Sequence, residues 1–189
     1  MKIGLYGGTF DPVHHGHLIL AREALEILGL DKVIFLPARI SPFKLSSPPA
    51  PAELRTHLLE VVLKDEPGLD WDLCELEREG PSYTIDTIRF MQTRYTGAEF
   101  YYFIGNDHLA TLPQWKEYDA LIRDVRFVVF TRGSVRLATS FPVIERRVDI
   151  SATEIRNRIA QGRSIRYLLP EAAHNILLQS GCYSETRIK

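Results

Sequence analysis

The chain has 189 residues, of which 45% are apolar, so it is long enough for one domain with a substantial core and too apolar for wholesale disorder. Its 23 basic and 24 acidic residues give a formal net charge of -1, without the positive excess that proteins wrapping long nucleic acid carry. Two cysteines far apart in sequence, Cys74 and Cys182, exclude a disulfide framework, and no run approaches the ~18 apolar residues that span a bilayer; both features predict a cytoplasmic protein.

Short apolar runs alternate with helical patterns, which predicts βαβ units. Lys2–Tyr6 reads as a buried first strand ending at Gly7-Gly8, and Gly16–Leu28 as a helix with Leu18, Ala21, Leu25 and Leu28 on one face. Lys32–Leu36 is the second strand, closed by Pro37. Ser41–Pro51, with Pro42, Pro48, Pro49 and Pro51, reads as an irregular loop. An amphipathic helix over Ala52–Lys64 precedes an alternating strand over Trp71–Glu77, a turn at Arg78–Pro81 and a helix over Thr84–Tyr95. Glu99–Ile104 and Arg126–Phe130 are strands by their aromatic and β-branched content, with a helical patch broken by Pro113 between them. Ser151–Gln161 and Pro170–Gln179 are the last two helices. The fold class expected is α/β: a doubly wound, mostly parallel sheet with a small C-terminal helical region, as a single domain over 1–189. Ligands of such sheets bind beyond the carboxyl ends of strands, where the strand order reverses.

The segment after the first strand is Gly7-Gly8-Thr9-Phe10-Asp11-Pro12-Val13-His14-His15-Gly16-His17. Adjacent glycines permit a sharp turn and close approach of a ligand, and the helix start that follows offers N–H groups to a phosphate. His14 and His17 are three residues apart and can share one face of the first helical turn. Zinc is the competing use of these histidines, but no cysteine, third histidine or acidic cluster is evident as a further ligand. Neither a G-x-G-x-x-G fingerprint nor a G-x-x-x-x-G-K-[ST] loop follows the strand.

This segment closely resembles the hallmark of the nucleotidylyltransferase superfamily, a Gly-Thr-Phe-Asp-Pro loop followed by His-x-Gly-His. The resemblance implies a Rossmann-like nucleotidyltransferase fold in which Gly8, Thr9, Phe10, His14 and His17 bind ATP. His14 and His17 would contact the phosphates and stabilise the transition state.

Ile150-Ser151-Ala152-Thr153-Glu154-Ile155-Arg156 resembles the second motif of the same superfamily, Ile-Ser-x-Thr-x-x-Arg. Ser151 followed three residues later by Glu154 is also a capping box, which accounts for both without any ligand. Arg156 is not needed for a cap, and with Ser151 and Thr153 it suits the triphosphate of ATP. Arg156 joins the two histidines as a candidate catalytic residue.

Three further segments bear on the second substrate. Gly80-Pro81-Ser82-Tyr83-Thr84 leads into a helix start that could hold a carboxylate, though a Gly-Pro turn with a cap explains it as well. Trp115, after Pro113, could stack on a pyridinium ring or simply pack. Gly105 and Asp107 end a strand, where Asp107 could accept from ribose hydroxyls or cap a helix. Together these resemble the bacterial nicotinate mononucleotide adenylyltransferases, over almost the whole chain, with Ser82, Tyr83, Thr84 and Trp115 as the implied mononucleotide site. Pro42-Phe43-Lys44 stands where that family often has Pro-His-Lys, with Lys44 still able to meet phosphate, and Thr131-Arg132 stands where it usually has Pro-Arg. The implied reaction joins nicotinate mononucleotide to the AMP part of ATP and releases pyrophosphate, with Mg²⁺ carried by ATP and no dedicated metal ligands. The alternatives are a relative using nicotinamide mononucleotide or phosphopantetheine, and a non-catalytic nucleotide sensor.

Overall fold

Alternate residues of a strand face opposite sides, and in this chain both sides are apolar, which a sheet tolerates only when helices cover both faces. The computed structural model, describing residues 1–40, 49–131 and 138–184, shows that arrangement. Among the described residues, six strands form one sheet: β1 (Lys2–Gly8), β2 (Lys32–Pro37), β3 (Leu69–Trp71), β4 (Glu99–Gly105), β5 (Arg126–Thr131) and β6 (Val143–Glu145). Every pairing is parallel and the order is β3-β2-β1-β4-β5-β6, so the winding reverses between β1 and β4.

The helices are α1 (His15–Ile27), α2 (Ala52–Leu63), α3 (Cys74–Glu77), α4 (Thr84–Arg94), α5 (Tyr118–Asp124), α6 (Ala152–Ala160) and α7 (Glu171–Ser180). Tyr6, Phe35, Phe103 and Phe130 form one core with Leu20 and Ala24 of α1, Leu58 of α2, Ile155 of α6 and Leu177 of α7. Ile3, Leu5, Ile34, Tyr102 and Val129 form the other with Ile85, Ile88 and Met91 of α4 and Leu121 of α5. Side chains of this size stabilise by about 1.5–3 kcal/mol each when fully buried. The sheet is thus fixed from both sides, and its reversal point is a rigid platform. Among the described residues, no helix is long and apolar enough to cross a membrane.

Two expectations are corrected. The strand expected over Trp71–Glu77 stops at Trp71, because the Asp72 carboxylate accepts the Cys74 N–H at 2.9 Å and turns the chain into α3. Gly7 and Gly8 do not form a turn but are the last residues of β1. Gly7 serves close approach: a Cβ there would lie 2.4 Å from the Tyr102 hydroxyl. The helical patch around Pro113 resolves into two 3-10 turns, Asn106–His108 and Leu112–Gln114, followed by α5.

Candidate active site

Beyond Gly8 the chain crosses the carboxyl end of the sheet at the β1/β4 reversal and enters α1 with His14 as its N-cap. His14 is buried, and its ring stacks on that of His17 with centroids 3.7 Å apart. The His14 N–H donates to Nδ1 of His17 at 3.2 Å. An accepting Nδ1 places the proton of the neutral imidazole on Nε2. His17 is further set by edge contacts with Tyr6 and Phe10, whose centroids lie 5.9 and 5.0 Å away. Gly16 has a specific reason to be glycine: a Cβ would lie 2.9 Å from the His14 ring. The same Cβ would lie 3.5 Å from the Ile150 carbonyl, so the segment leading into α6 packs directly against the start of α1.

That contact brings the two motifs together. Ser151 caps α6, its hydroxyl accepting the Glu154 N–H at 3.1 Å, as the capping-box spacing requires. From α6, Arg156 donates to the Asp11 carbonyl at 2.7 Å and to the Thr153 hydroxyl at 3.2 Å, with the Asp11 carboxylate 3.8 Å away. An arginine and two stacked imidazoles, separated by some 140 residues of chain, therefore flank one loop at a helix start. A half-exposed guanidinium with imidazole and backbone N–H groups is a donor set for a polyanion. Among the described residues, no group of three or more His, Cys, Asp or Glu stands together as a metal cage.

A cleft of about 320 Å³ opens beside this loop. Gly8, Thr9, Ser82, Tyr83, Thr84 and Trp115 all border it, together with Tyr102 and Glu75. The Thr84 and Tyr102 hydroxyls meet at 3.4 Å, and burial pushes the Tyr102 phenol well above its ordinary value, so it stays neutral. Trp115 sits edge-on to Tyr102 and His108, at 6.2 and 5.9 Å between centroids. A second hollow of about 340 Å³ is bordered by Tyr6, Leu20, Gly105, Asn106, Asp107, His108 and Phe130. Tyr6, Gly105 and His108 border both, so the two hollows meet at the sheet reversal. Asp107 is exposed at the rim of the second. Phe43, Lys44 and Arg132 lie outside the described residues.

With this geometry in place, similarity to known proteins can be stated. The cytidylyltransferase-like family model matches residues 5–158. A probable nicotinate-nucleotide adenylyltransferase of Geobacillus thermodenitrificans is 44% identical over 185 residues, covering 96% of this chain and 86% of its own. The nicotinate-nucleotide adenylyltransferase of Bacillus subtilis is 35% identical, covering 96% and 98%. The chain belongs to this family. A likeness in fold extends to the Plasmodium falciparum nicotinic acid mononucleotide adenylyltransferase complexed with NaAD, with a TM-score of 0.79, 17% identity, and coverage of 96% and 97%.

Membership in the nicotinate-nucleotide adenylyltransferases gives the site residues a context, and several of them escaped sequence reading. Arg55 is 1% exposed, and its guanidinium donates to the carbonyls of Thr9, Ala38 and Ala50 at 2.7, 3.0 and 3.1 Å. Burial lowers its pKa and the Asp11 carboxylate counteracts this. Arg55 thereby ties the loop after β1 to the exit of β2. Tyr183, beyond α7, donates its hydroxyl to the Asp11 carboxylate, which also accepts the Ala50 N–H at 3.2 Å. An arginine on an amphipathic helix reads as surface, and a tyrosine 172 residues from its partner carries no local signal.

Proposed function

We propose that the chain joins nicotinate mononucleotide to the AMP part of ATP, giving deamido-NAD and pyrophosphate, within a single nucleotidyltransferase domain spanning 1–189. The observation carrying this reading is the convergence of Arg156 and the stacked His14–His17 pair on one loop, beside a cleft bordered by Ser82–Thr84 and Trp115. His14, His17 and Arg156 act on the phosphates. Gly8, Thr9, Phe10, Ser151 and Thr153 frame the ATP tail, and Gly105 and Asp107 face its ribose. Lys44 is included on the sequence resemblance alone. Ser82, Tyr83, Thr84 and Trp115 take the pyridine ring and its carboxylate. The reaction takes place in the cytoplasm, and Mg²⁺ enters as part of the substrate, neutralising charge on the phosphates of ATP.

A phosphate oxygen of the mononucleotide attacks the α-phosphorus of ATP. The new P–O–P bridge forms as the bond to the β-phosphate oxygen breaks, and that electron pair leaves with pyrophosphate. A phosphomonoester has its second pKa near ~6, so the nucleophile is already largely dianionic at neutral pH and needs no base from the protein. What remains for the enzyme is alignment and charge stabilisation. His17, with its proton held on Nε2, donates to developing negative charge, and Arg156 shares the load on the leaving group.

Product analysis tests this. The chain mixed with ATP, Mg²⁺ and the acid mononucleotide should release pyrophosphate and deamido-NAD in equal amounts. No product, or a higher kcat/KM with nicotinamide mononucleotide or phosphopantetheine, would overturn it.

A further inference from the structure

Ser82 sits in the segment assigned to the pyridine carboxylate, yet its own bonding turns it into the wall. Its hydroxyl accepts the Arg39 N–H at 3.1 Å, and its N–H donates to the Ile40 carbonyl at 3.1 Å. Glu75, on α3, is 4% exposed and borders the cleft directly behind this segment. The fully buried Thr87, one turn into α4, donates to Glu75 at 2.8 Å and receives Arg78 Nη2 at 3.2 Å. Arg39 extends the same framework, its guanidinium donating to the carbonyls of Leu76 and Arg78 at 3.3 Å each. Thr87 Oγ1 also lies 3.4 Å from the Tyr83 carbonyl, so one buried carboxyl is tied through Thr87 to the first turn of α4 and to the residue that precedes it.

We propose that Glu75 is a positioning residue for the pyridine mononucleotide: through Thr87 it fixes the start of α4, and with it the Tyr83–Thr84 backbone, in the register that receives the ring carboxylate. The inference rests on the function proposed above and deepens it, since no role in substrate recognition has been given to α3. A buried carboxyl is costly to keep without a purpose. Here burial holds the Glu75 pKa above its ordinary value, while Thr87, Ser82 and Arg78 pull it back. The Ser82 hydroxyl meanwhile accepts the Arg39 N–H. Recognition of the acid then falls to the backbone N–H groups at the start of α4 and to the Thr84 hydroxyl, which points to Tyr102 across the cleft. The same wall would be built for either mononucleotide, but only the acid gains full charge-assisted bonds from it.

Glu75→Gln keeps the shape and removes an acceptor, while Thr87→Val removes the donor from the other side without touching Glu75. Steady-state kinetics with each substrate varied in turn should show KM for the acid mononucleotide rising about tenfold in both variants, with KM for ATP changed by less than about twofold. Hydrogen exchange of amides 82–86 should quicken in both, with β1 and α1 unaffected. The inference is overturned if both KM values rise in parallel, if neither moves, or if exchange quickens uniformly through the chain. Wild-type turnover reports on the function itself, and the variant-to-wild-type ratio reports on Glu75, so each can fail separately.

Discussion

Gly16→Ala is the most informative single perturbation of the site, because its effects on stability and on chemistry should diverge. The added Cβ would stand 2.9 Å from Cε1 and Nδ1 of His14 and 3.5 Å from the Ile150 carbonyl. Carbon contacts settle at about 3.5–4.0 Å, so the His14 ring must retreat by roughly 0.5–1 Å. His14 is only 1% exposed and cannot swing into solvent; its displacement passes to His17, stacked 3.7 Å away. Alanine favours a helix over glycine by about 1 kcal/mol, which offsets much of the crowding in the folding free energy. A misplacement of this size at reacting groups costs up to about 100-fold in rate. Urea unfolding should therefore show a midpoint close to wild type, while pyrophosphate release under saturating substrates shows kcat lower by about 10- to 100-fold. A kcat within about threefold of wild type would refute the reasoning, since the rings would then tolerate displacement.

Other expectations follow from the same geometry. His17→Ala should lower kcat by ~10²–10³ in steady-state assays, the usual cost of losing one transition-state donor. Arg55→Lys keeps the charge but cannot reach three carbonyls, and should lower the unfolding free energy by about 2–4 kcal/mol in denaturant titrations. Glu75 holds its proton more tightly folded than unfolded, so its contribution to stability is complete below its ordinary value of 4.5 and is lost as pH rises through the folded value. Against Glu75→Gln, wild-type stability should decline with rising pH from about 4 upwards, and a constant difference between the two proteins would contradict the sign.

The periodicity of apolar residues located β1, β2, β4, β5 and the long helices within a residue or two, because both faces of this sheet are buried and the pattern is strong. The parallel pairing follows from βαβ winding, whereas the strand order, with its reversal between β1 and β4, came only with the structure. Ser151 and Glu154 announced their cap by spacing alone. What escaped notice has local physical causes. Asp72 ends β3 through a side-chain bond that no periodicity reveals, and β6, Val143–Glu145, is too short to carry an alternation. Arg55, in a segment read as an amphipathic helix, and Glu75, in one read as an alternating strand, are charged residues that local pattern gives no reason to bury, yet tertiary partners hold both of them buried. The reason for glycine at position 16, the approach of the His14 ring, exists only in three dimensions.

The measurement that bears most directly on the whole account is a crystal structure with a non-hydrolysable ATP analogue. It should place His17 Nε2 and the Arg156 guanidinium each within about 3 Å of phosphate oxygens of the same triphosphate. Either group beyond about 5 Å, with the phosphates held elsewhere, would contradict the account.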